Sequence, residues 1–139
     1  MIEWYKKVVF ENYANFEGRA RRSEYWYFTL ANLLIVMVFV ISGAIFMGTE
    51  MEAIGTVFFV LAAIYVLATI VPNLAVTVRR LHDINKSGWY YLVSWIPYIG
   101  GVWLLILTCT NGTVGTNNYG PDPKNPFDEI DEIGQSETI

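Results

Sequence analysis

Two long runs of uncharged residues constrain this chain more than any other feature of its sequence. The first extends from Tyr25 to about Met47, roughly 23 residues, and the second from about Ala53 to Val78, roughly 26 residues. A helix of about 20 apolar residues is long enough to cross the hydrocarbon core of a bilayer, which is about 30 Å thick. Both runs therefore predict transmembrane helices. The first is too long and begins too late to be a signal peptide, and no cleavage-site pattern follows it.

A third apolar segment, from Trp89 to Cys109, is long enough to span but is interrupted in its middle. Pro97, Gly100 and Gly101 fall near its centre, and such residues break the regular backbone hydrogen bonding of a helix. We predict a kinked third span here. The alternative is a re-entrant hairpin, in which two half-helices turn at Pro97 to Gly101.

The two ends of the chain differ in character. Apolar residues recur at helical spacing over about 2–16, which predicts an amphipathic helix. Aromatic residues on one side and lysines on the other are typical of a helix that lies in the headgroup region. The alternative is a helix packed against the rest of the protein. At the other end, the residues beyond Pro126 are mostly acidic and polar, and we predict that they are disordered.

Together these segments predict an all-α integral membrane protein. It has three hydrophobic helical segments, the third kinked or re-entrant, with an interfacial N-terminal amphipathic helix and a disordered acidic C-terminal tail. Residues 1–123 form a single membrane domain, with an acidic tail at 124–139. We place the helical segments at about 2–16, 25–47, 54–82 and 89–109.

The distribution of cations predicts the orientation in the membrane. Eight of the nine Lys and Arg residues precede Trp89, and none of them lies in the turn between the first two apolar runs. Cytoplasmic segments carry the excess of Lys and Arg in membrane proteins. The N-terminus and the loop after the second run are therefore predicted to be cytoplasmic. A third span would place the C-terminal tail outside, whereas a re-entrant segment would keep it inside.

The loop after the second run contains the one histidine of the chain, in the pair His82–Asp83. This pair is reminiscent of metal-dependent hydrolases, but a catalytic zinc site normally takes about three protein ligands. Consecutive helical residues also diverge by about 100° and cannot readily face one ion. Ser42 lies at the opposite end of the first span from His82, and the single cysteine, Cys109, cannot form a metal cluster. We expect no enzymatic activity, no metal and no cofactor.

A structural role for the charges of this loop is better supported. Asp83 near a helix C-terminus opposes the helix dipole and needs a cationic partner, and Glu24 at the start of the first span can pair with Arg79 or Arg80. We hypothesise a clasp in which Glu24 and Asp83 bind arginines. The alternative is a set of solvated charges that only fix topology. The candidate interfacial cluster comprises Arg19, Arg21, Arg22, Glu24, Arg79, Arg80, His82, Asp83 and Lys86.

A second candidate site lies within the apolar runs. Pro72 lacks a backbone N–H and predicts a kink in the second helix, and Asn73 follows it directly. Together with Pro97 in the broken third segment, these residues are candidates for a transport pathway. The alternative is a kinked helix whose amide hydrogen-bonds to a neighbouring helix.

Four motifs resemble the hallmark segments of one family, the small bacterial membrane proteins known as domain of unknown function 805. The motifs are Arg19–Trp26 (RARRSEYW), Arg79–Asp83 (RRLHD) with Ser87–Trp89 (SGW), Ile96–Gly100 (IPYIG) and Asn118–Pro123 (NYGPDP). The resemblance covers nearly the whole chain, from about Trp4 to Pro123. It implies a bacterial cytoplasmic-membrane protein with a few helices and implies no activity.

We therefore expect a multi-pass inner-membrane protein that binds or assembles at the cytoplasmic face. The expected partners are the lipid bilayer, with anionic phospholipids at the basic residues, and a homo-oligomer or another membrane protein. A small transporter or channel component is the alternative function. We expect no nucleic acid, because the basic stretch is short and adjoins a membrane span.

Overall fold

The computed structural model describes residues 1–125, which are predominantly helical. Among them, the one β pairing is an isolated bridge between Asn117 and Gly120. The predicted disordered tail lies, from residue 126, outside the described residues. The helical elements are α1 (Ile2–Lys6), which continues as a π-helical turn (Lys7–Glu11), α2 (Arg22–Met47), α3 (Glu52–Asp83), a 3₁₀ segment (Gly88–Trp95) and α4 (Gly100–Cys109).

Helices α2 and α3 are the two elements that are long and apolar enough to cross a membrane. At 1.5 Å per residue they are about 39 and 48 Å long. Only 6% and 11% of their most apolar stretches are buried inside the protein. The core helix of a soluble protein would be mostly buried, so the exposed apolar surface of this pair favours contact with lipid.

A tight turn at Gly48 to Met51 joins α2 to α3, and the two helices cross closely beside it. A Cβ atom added to Gly55 would lie 2.8 Å from the backbone oxygen of Gly43. In the same region, the rings of Phe46 and Phe58 stack with centroids 5.7 Å apart. The absence of side chains at the two glycines therefore allows the backbones to approach, as small residues do between membrane helices.

The N-terminal helix is shorter than predicted, ending at Glu11 instead of residue 16. Asn12 leaves the helical region (φ −133°), and its side-chain amide donates to the backbone oxygen of Lys7. Asn15 in turn donates to Asn12 Oδ1. Asparagine side chains compete with the backbone for hydrogen bonds in this way, and the competition ends the helix despite the continuing apolar spacing.

The N-terminal segment packs against both long helices. Tyr5 stacks on Phe28 of α2, with ring centroids 5.7 Å apart. Its hydroxyl lies 3.0 Å from that of Tyr65 on α3. Val8 is fully buried in a small core with Phe28 and Val76, together with Ala20. The sequence left open whether this segment lies in the headgroup region or packs against the rest of the protein. In the structure it packs directly against the rest of the protein.

The third apolar segment is a hairpin in the structure and does not run the length of the bundle. At its start, Gly88 lies against Val78 near the end of α3. At its end, the backbone oxygen of Thr108 accepts from Arg80 Nε at 3.1 Å, beside the same end of α3. The 3₁₀ segment and α4 are each about 15 Å long, so the chain enters and returns. The segment is therefore not the single kinked helix that we favoured, and its two halves form the hairpin of the alternative.

The turn of the hairpin explains why the segment doubles back. Pro97 and Tyr98 separate the two halves, and Tyr98 adopts a positive φ of 68°. A Cβ atom on Gly100 would collide with the backbone oxygen of Val93. A residue without a side chain is needed where α4 folds back this closely. Of the three interrupting residues noted in the sequence, Pro97 and Gly100 therefore contribute to one tight turn.

The hairpin predicts the side of the membrane on which the C-terminus lies. A reporter domain fused after Ile139 should report the same compartment as one fused before Met1, because no long apolar run follows Cys109. A reporter inserted between Gly48 and Met51 should report the opposite compartment. Activity of the C-terminal reporter on the same side as the Gly48–Met51 insertion would contradict the hairpin.

Candidate functional site

Five charged residues are buried together where α2 begins and α3 ends. We call them the charged cluster: Arg19, Glu24, Arg79, Arg80 and Asp83. Glu24 and Arg80 are fully buried, and the most exposed of the five, Arg19, retains 8% of its surface. A buried charge is strongly unfavourable unless it is paired and hydrogen-bonded. The sequence alternative of solvated charges is therefore wrong for these five residues.

Glu24 connects the first long helix to the second and to the N-terminal segment. Its Oε1 atom lies 2.6 Å from Arg79 Nη1, within α3. Its Oε2 atom lies 3.3 Å from Lys7 Nζ, whose side chain is 41% exposed. The predicted pairing of Glu24 with an arginine of α3 is thus present, with Arg79 as the partner.

Asp83 is bound by two guanidinium groups at the C-terminal end of α3. Its Oδ1 atom lies 3.0 Å from both Nε and Nη2 of Arg19. Its Oδ2 atom is paired with Nη1 of Arg80. Arg79, one helical turn before Asp83, does not join them, because it is held by Glu24. Two cations on one carboxylate offset the unfavourable helix dipole there.

The same arginines bind the backbone of the loop that follows α4. Arg80 Nε donates to the oxygen of Thr108 and Nη2 to that of Thr110. Arg19 Nη1 donates to the oxygen of Gly115 at 2.6 Å, and its Nη2 atom donates to that of Thr113. The fixed fork of donors on arginine suits this use, since one side chain reaches several acceptors.

Residues of this loop are not among the candidate site residues predicted from the sequence. Thr113 donates its N–H to the backbone oxygen of Asp83 at 2.7 Å. A Cβ atom on the neighbouring Gly112 would collide with the carboxylate of Asp83. The turn-rich composition from Asn111 to Pro123 was the available signal, but turn residues alone do not show which charge a loop covers.

His82 makes contacts at one edge and on one face of its ring, and through its backbone oxygen. Its Nδ1 atom lies 3.1 Å from the backbone oxygen of Gly18. The ring stacks on that of Tyr119, with centroids 4.0 Å apart and planes nearly parallel. Asn117 donates to the backbone oxygen of His82 at 2.9 Å. These contacts join α3 to the loops before α2 and after α4.

Asp122 fastens the end of the loop. Its carboxylate accepts from the backbone N–H groups of Gly115 and Lys124, at 3.1 and 2.9 Å. Burial by itself would raise the pKa of Asp122. The two hydrogen bonds and the positive charge of Arg19 outweigh that effect, so the pKa lies below its ordinary value of 3.8. The ionised carboxylate thus stabilises the loop above that pH, and this stabilisation is lost as the pH falls through the lowered pKa.

The remaining predicted cations lie around the cluster. Arg22 donates to Asn111 Oδ1 at 2.7 Å, and Lys86 lies over the ring of Tyr90. Arg21 lies over the ring of Trp4, with Cζ 5.7 Å from the centroid. Within residues 1–125, no three His, Cys, Asp or Glu side chains are placed to hold a metal ion.

Positive charge exceeds negative charge in this region. The charged cluster contains three guanidinium groups and two carboxylates, and Lys7 adds a further cation. Three buried donor atoms, Nε and Nη2 of Arg79 and Nε of Arg21, have no hydrogen-bond partner among the described residues. The arrangement can therefore attract an anion without breaking its internal pairs.

The candidate residues of the second set have two structural roles: Pro72 and Pro97 shape the backbone, and Asn73 lines a cavity. Pro72 cannot donate a hydrogen bond to the backbone oxygen of Ala68, and the hydroxyl of Tyr13 donates to that oxygen at 2.6 Å instead. Pro97 lies in the hairpin turn. Asn73 lines a cavity of about 430 Å³ between α2, α3 and the hairpin, so it is brought near the broken third segment.

The clasp makes a specific prediction about charge exchange. Glu24→Lys should lower stability by about 3–5 kcal/mol, because it leaves Arg79 buried and unpaired. Adding Arg79→Glu should restore part of that loss. Adding Arg80→Glu is the matched control and should lower stability further, since Arg80 is paired with Asp83. Thermal unfolding midpoints of the purified protein in detergent measure all three, and equal rescue by both second changes would contradict the assignment.

Comparisons with known proteins agree with this architecture. The family described as "Protein of unknown function (DUF805)" matches residues 13–121. "Inner membrane protein YhaI" of Escherichia coli (strain K12) is 44% identical over 88% of this chain and 97% of its own length. "Inner membrane protein YhaH" of the same organism is 39% identical over 88% of this chain and 98% of its own length. No solved structure matches. This membrane protein therefore belongs to the DUF805 family.

Proposed function

We propose that this chain is a multi-pass protein of the bacterial inner membrane that binds anionic phospholipid headgroups at the cytoplasmic face. The observation that carries the proposal is the excess of cations around the charged cluster. Glu24 and Asp83 carry two negative charges, whereas the three arginines of the cluster and Lys7 carry four positive charges. The additional cations Lys7 and Arg21, which are partly exposed, suit the phosphate groups of anionic lipids instead.

The proposed location and orientation have separate support. Two relatives that match nearly the full length of this chain are named inner membrane proteins. The charged cluster lies at the end of the helix pair that carries the basic residues, and such ends face the cytoplasm. We therefore place the N-terminus, the loop after α3 and the loop after α4 on the cytoplasmic side.

The headgroup site that we propose is formed by Lys7, Arg21 and Trp4. Lys7 Nζ and Arg21 Cζ lie 5.3 and 5.7 Å from the centroid of the Trp4 ring. All three side chains are partly exposed. Tryptophan is common at the boundary between headgroups and hydrocarbon, where its ring can hold cations at the depth of the phosphates.

A phosphate at this position would also complete the charge balance of the cluster. Lys7 already contacts Glu24, whose other oxygen binds Arg79. An anion between Lys7 and Arg21 would extend this alternation of charge outward from the protein. Binding of anionic lipid is therefore expected to stabilise the packing of the N-terminal segment on α2.

Titration with one anionic lipid tests the proposal. The protein is reconstituted in phosphatidylcholine nanodiscs, and phosphatidylglycerol binding is measured by native mass spectrometry. Each cation near an anionic surface contributes about 1 kcal/mol, so Lys7→Gln with Arg21→Gln should weaken binding roughly tenfold or more. High salt should weaken binding to the unaltered protein as well.

The matched control is Lys6→Gln, which removes one exposed cation from the same helix but outside the site. It should change phosphatidylglycerol binding little. The proposal fails if the Lys7 and Arg21 changes bind as tightly as the control. Recovery of a second protein in place of lipid would favour the assembly role that the sequence also suggested.

A second candidate function is transport, and one observation favours it. Asn73 and both halves of the broken third segment line a single cavity. Proteoliposomes containing the protein should then show a glycerol flux that Asn73→Leu abolishes, measured by light scattering after an osmotic step. A flux equal to that of protein-free liposomes would remove this candidate.

A further inference from the structure

The cavity at Asn73 is an open cleft at the surface of the helices, and its walls combine hydrogen-bonding and apolar groups. It has a volume of about 430 Å³ and lies where α2, α3 and both halves of the hairpin meet. Five side chains that can form hydrogen bonds line it, namely Tyr25, Asn73, Thr77, Tyr91 and Trp95, whose indole ring also adds apolar surface. The other walls are apolar and consist of Ile70, Leu74 and Leu104.

Asn73 has the polar side chain of the cavity that lies on α3 without a hydrogen-bond partner among the described residues. Asn73 is exposed in the protein. Its recorded hydrogen bond uses the backbone oxygen, which accepts from the hydroxyl of Thr77, and the side-chain amide has no partner among residues 1–125. At 1.5 Å per residue, Asn73 lies about 7.5 Å along α3 from Val78, the last residue of the uncharged run. An amide at this depth is costly unless something binds it.

The chemistry of the cavity selects the kind of occupant. No charged residue is among the described residues that line it, so a charged group would be left without a counterion in a region of low dielectric. An amide, phenol and hydroxyl groups can each donate and accept hydrogen bonds. A hydroxyl group has the same dual capacity, and carbon atoms next to it would contact the apolar walls.

We propose that this cavity binds an uncharged, hydroxyl-bearing ligand through the side chain of Asn73. Two sources supply that chemistry: an uncharged lipid alcohol from the bilayer and a small polyol from water. The proposal concerns a site separate from the charged cluster and does not depend on anionic lipid binding. Binding here also requires no transport.

The test uses one probe from each source. The purified full-length protein is titrated with dioleoylglycerol in nanodiscs and, separately, with free glycerol. Bound dioleoylglycerol is counted by native mass spectrometry, and glycerol is measured by ligand-observed NMR. Asn73→Leu removes the amide at similar volume and should weaken binding of the recognised probe about tenfold, since a lost hydrogen bond leaves its partner unsatisfied.

Two further variants keep the result interpretable. Thr56→Val removes an exposed polar group at the other end of α3 and should leave binding unchanged. Leu104→Trp narrows the cavity from the hairpin side without touching Asn73 and should also weaken binding. Each variant is first shown to have the thermal unfolding midpoint of the unaltered protein within a few degrees.

The outcomes are distinct. Dioleoylglycerol binding that Asn73→Leu and Leu104→Trp both weaken identifies a lipid alcohol site, and the same pattern with glycerol alone identifies a polyol site. The proposal is overturned if neither probe binds, or if the probe that binds is held by Asn73→Leu as tightly as by the unaltered protein. Phosphatidylglycerol titration should be unaffected by Asn73→Leu, so failure here leaves the headgroup proposal standing.

Discussion

The binding of one carboxylate, Asp83, by two arginines is the interaction on which the rest of the structure depends. Arg19 comes from the segment before α2, and Arg80 comes from α3 itself. A lone carboxylate at a buried helix C-terminus would be destabilised by both desolvation and the helix dipole. Because both guanidinium groups are needed there, the positions of α2, α3 and the loop after α4 are fixed relative to one another.

The arginines also solve a problem created by the hairpin. A re-entrant segment ends in backbone carbonyl groups that no helix partner satisfies, and such groups are costly near the hydrocarbon. Arg80 donates to the oxygens of Thr108 and Thr110, and Arg19 donates to those of Thr113 and Gly115. The same side chains thus neutralise a carboxylate and satisfy the end of the hairpin.

Proline in the second helix is accommodated by similar means. The backbone oxygen of Ala68, which Pro72 leaves without its usual donor, accepts from Tyr13. This bond attaches the loop after the N-terminal helix to the middle of α3. The candidate transport kink is therefore part of the internal packing, whereas the adjacent Asn73 remains available to a ligand.

Much of the fold could be predicted from the sequence because its main signals are local. The uncharged runs gave both long helices to within a few residues, and helix-dipole reasoning predicted cationic partners for Asp83. The choice of partners depended on tertiary geometry: Arg79 turns to Glu24, and Arg80 pairs with Asp83. The sequence could not distinguish the hairpin from a kinked helix, since a proline and two glycines are compatible with both a kink and a reversal. The side-chain competition of Asn12 was likewise hidden by the apolar periodicity.

The covering of Asp83 by the loop after α4 has a consequence for biosynthesis. The chain is made from its N-terminus, so α2 and α3 leave the ribosome before residues 108–115 do. During that interval Arg19 and Arg80 lack their carbonyl partners, and the basic end of the helix pair is left incompletely hydrogen-bonded. Insertion of the two long helices and closure of the charged cluster are thus separate steps in time. A ribosome stalled while residues 108–115 are still inside its exit tunnel would hold the protein in the open intermediate.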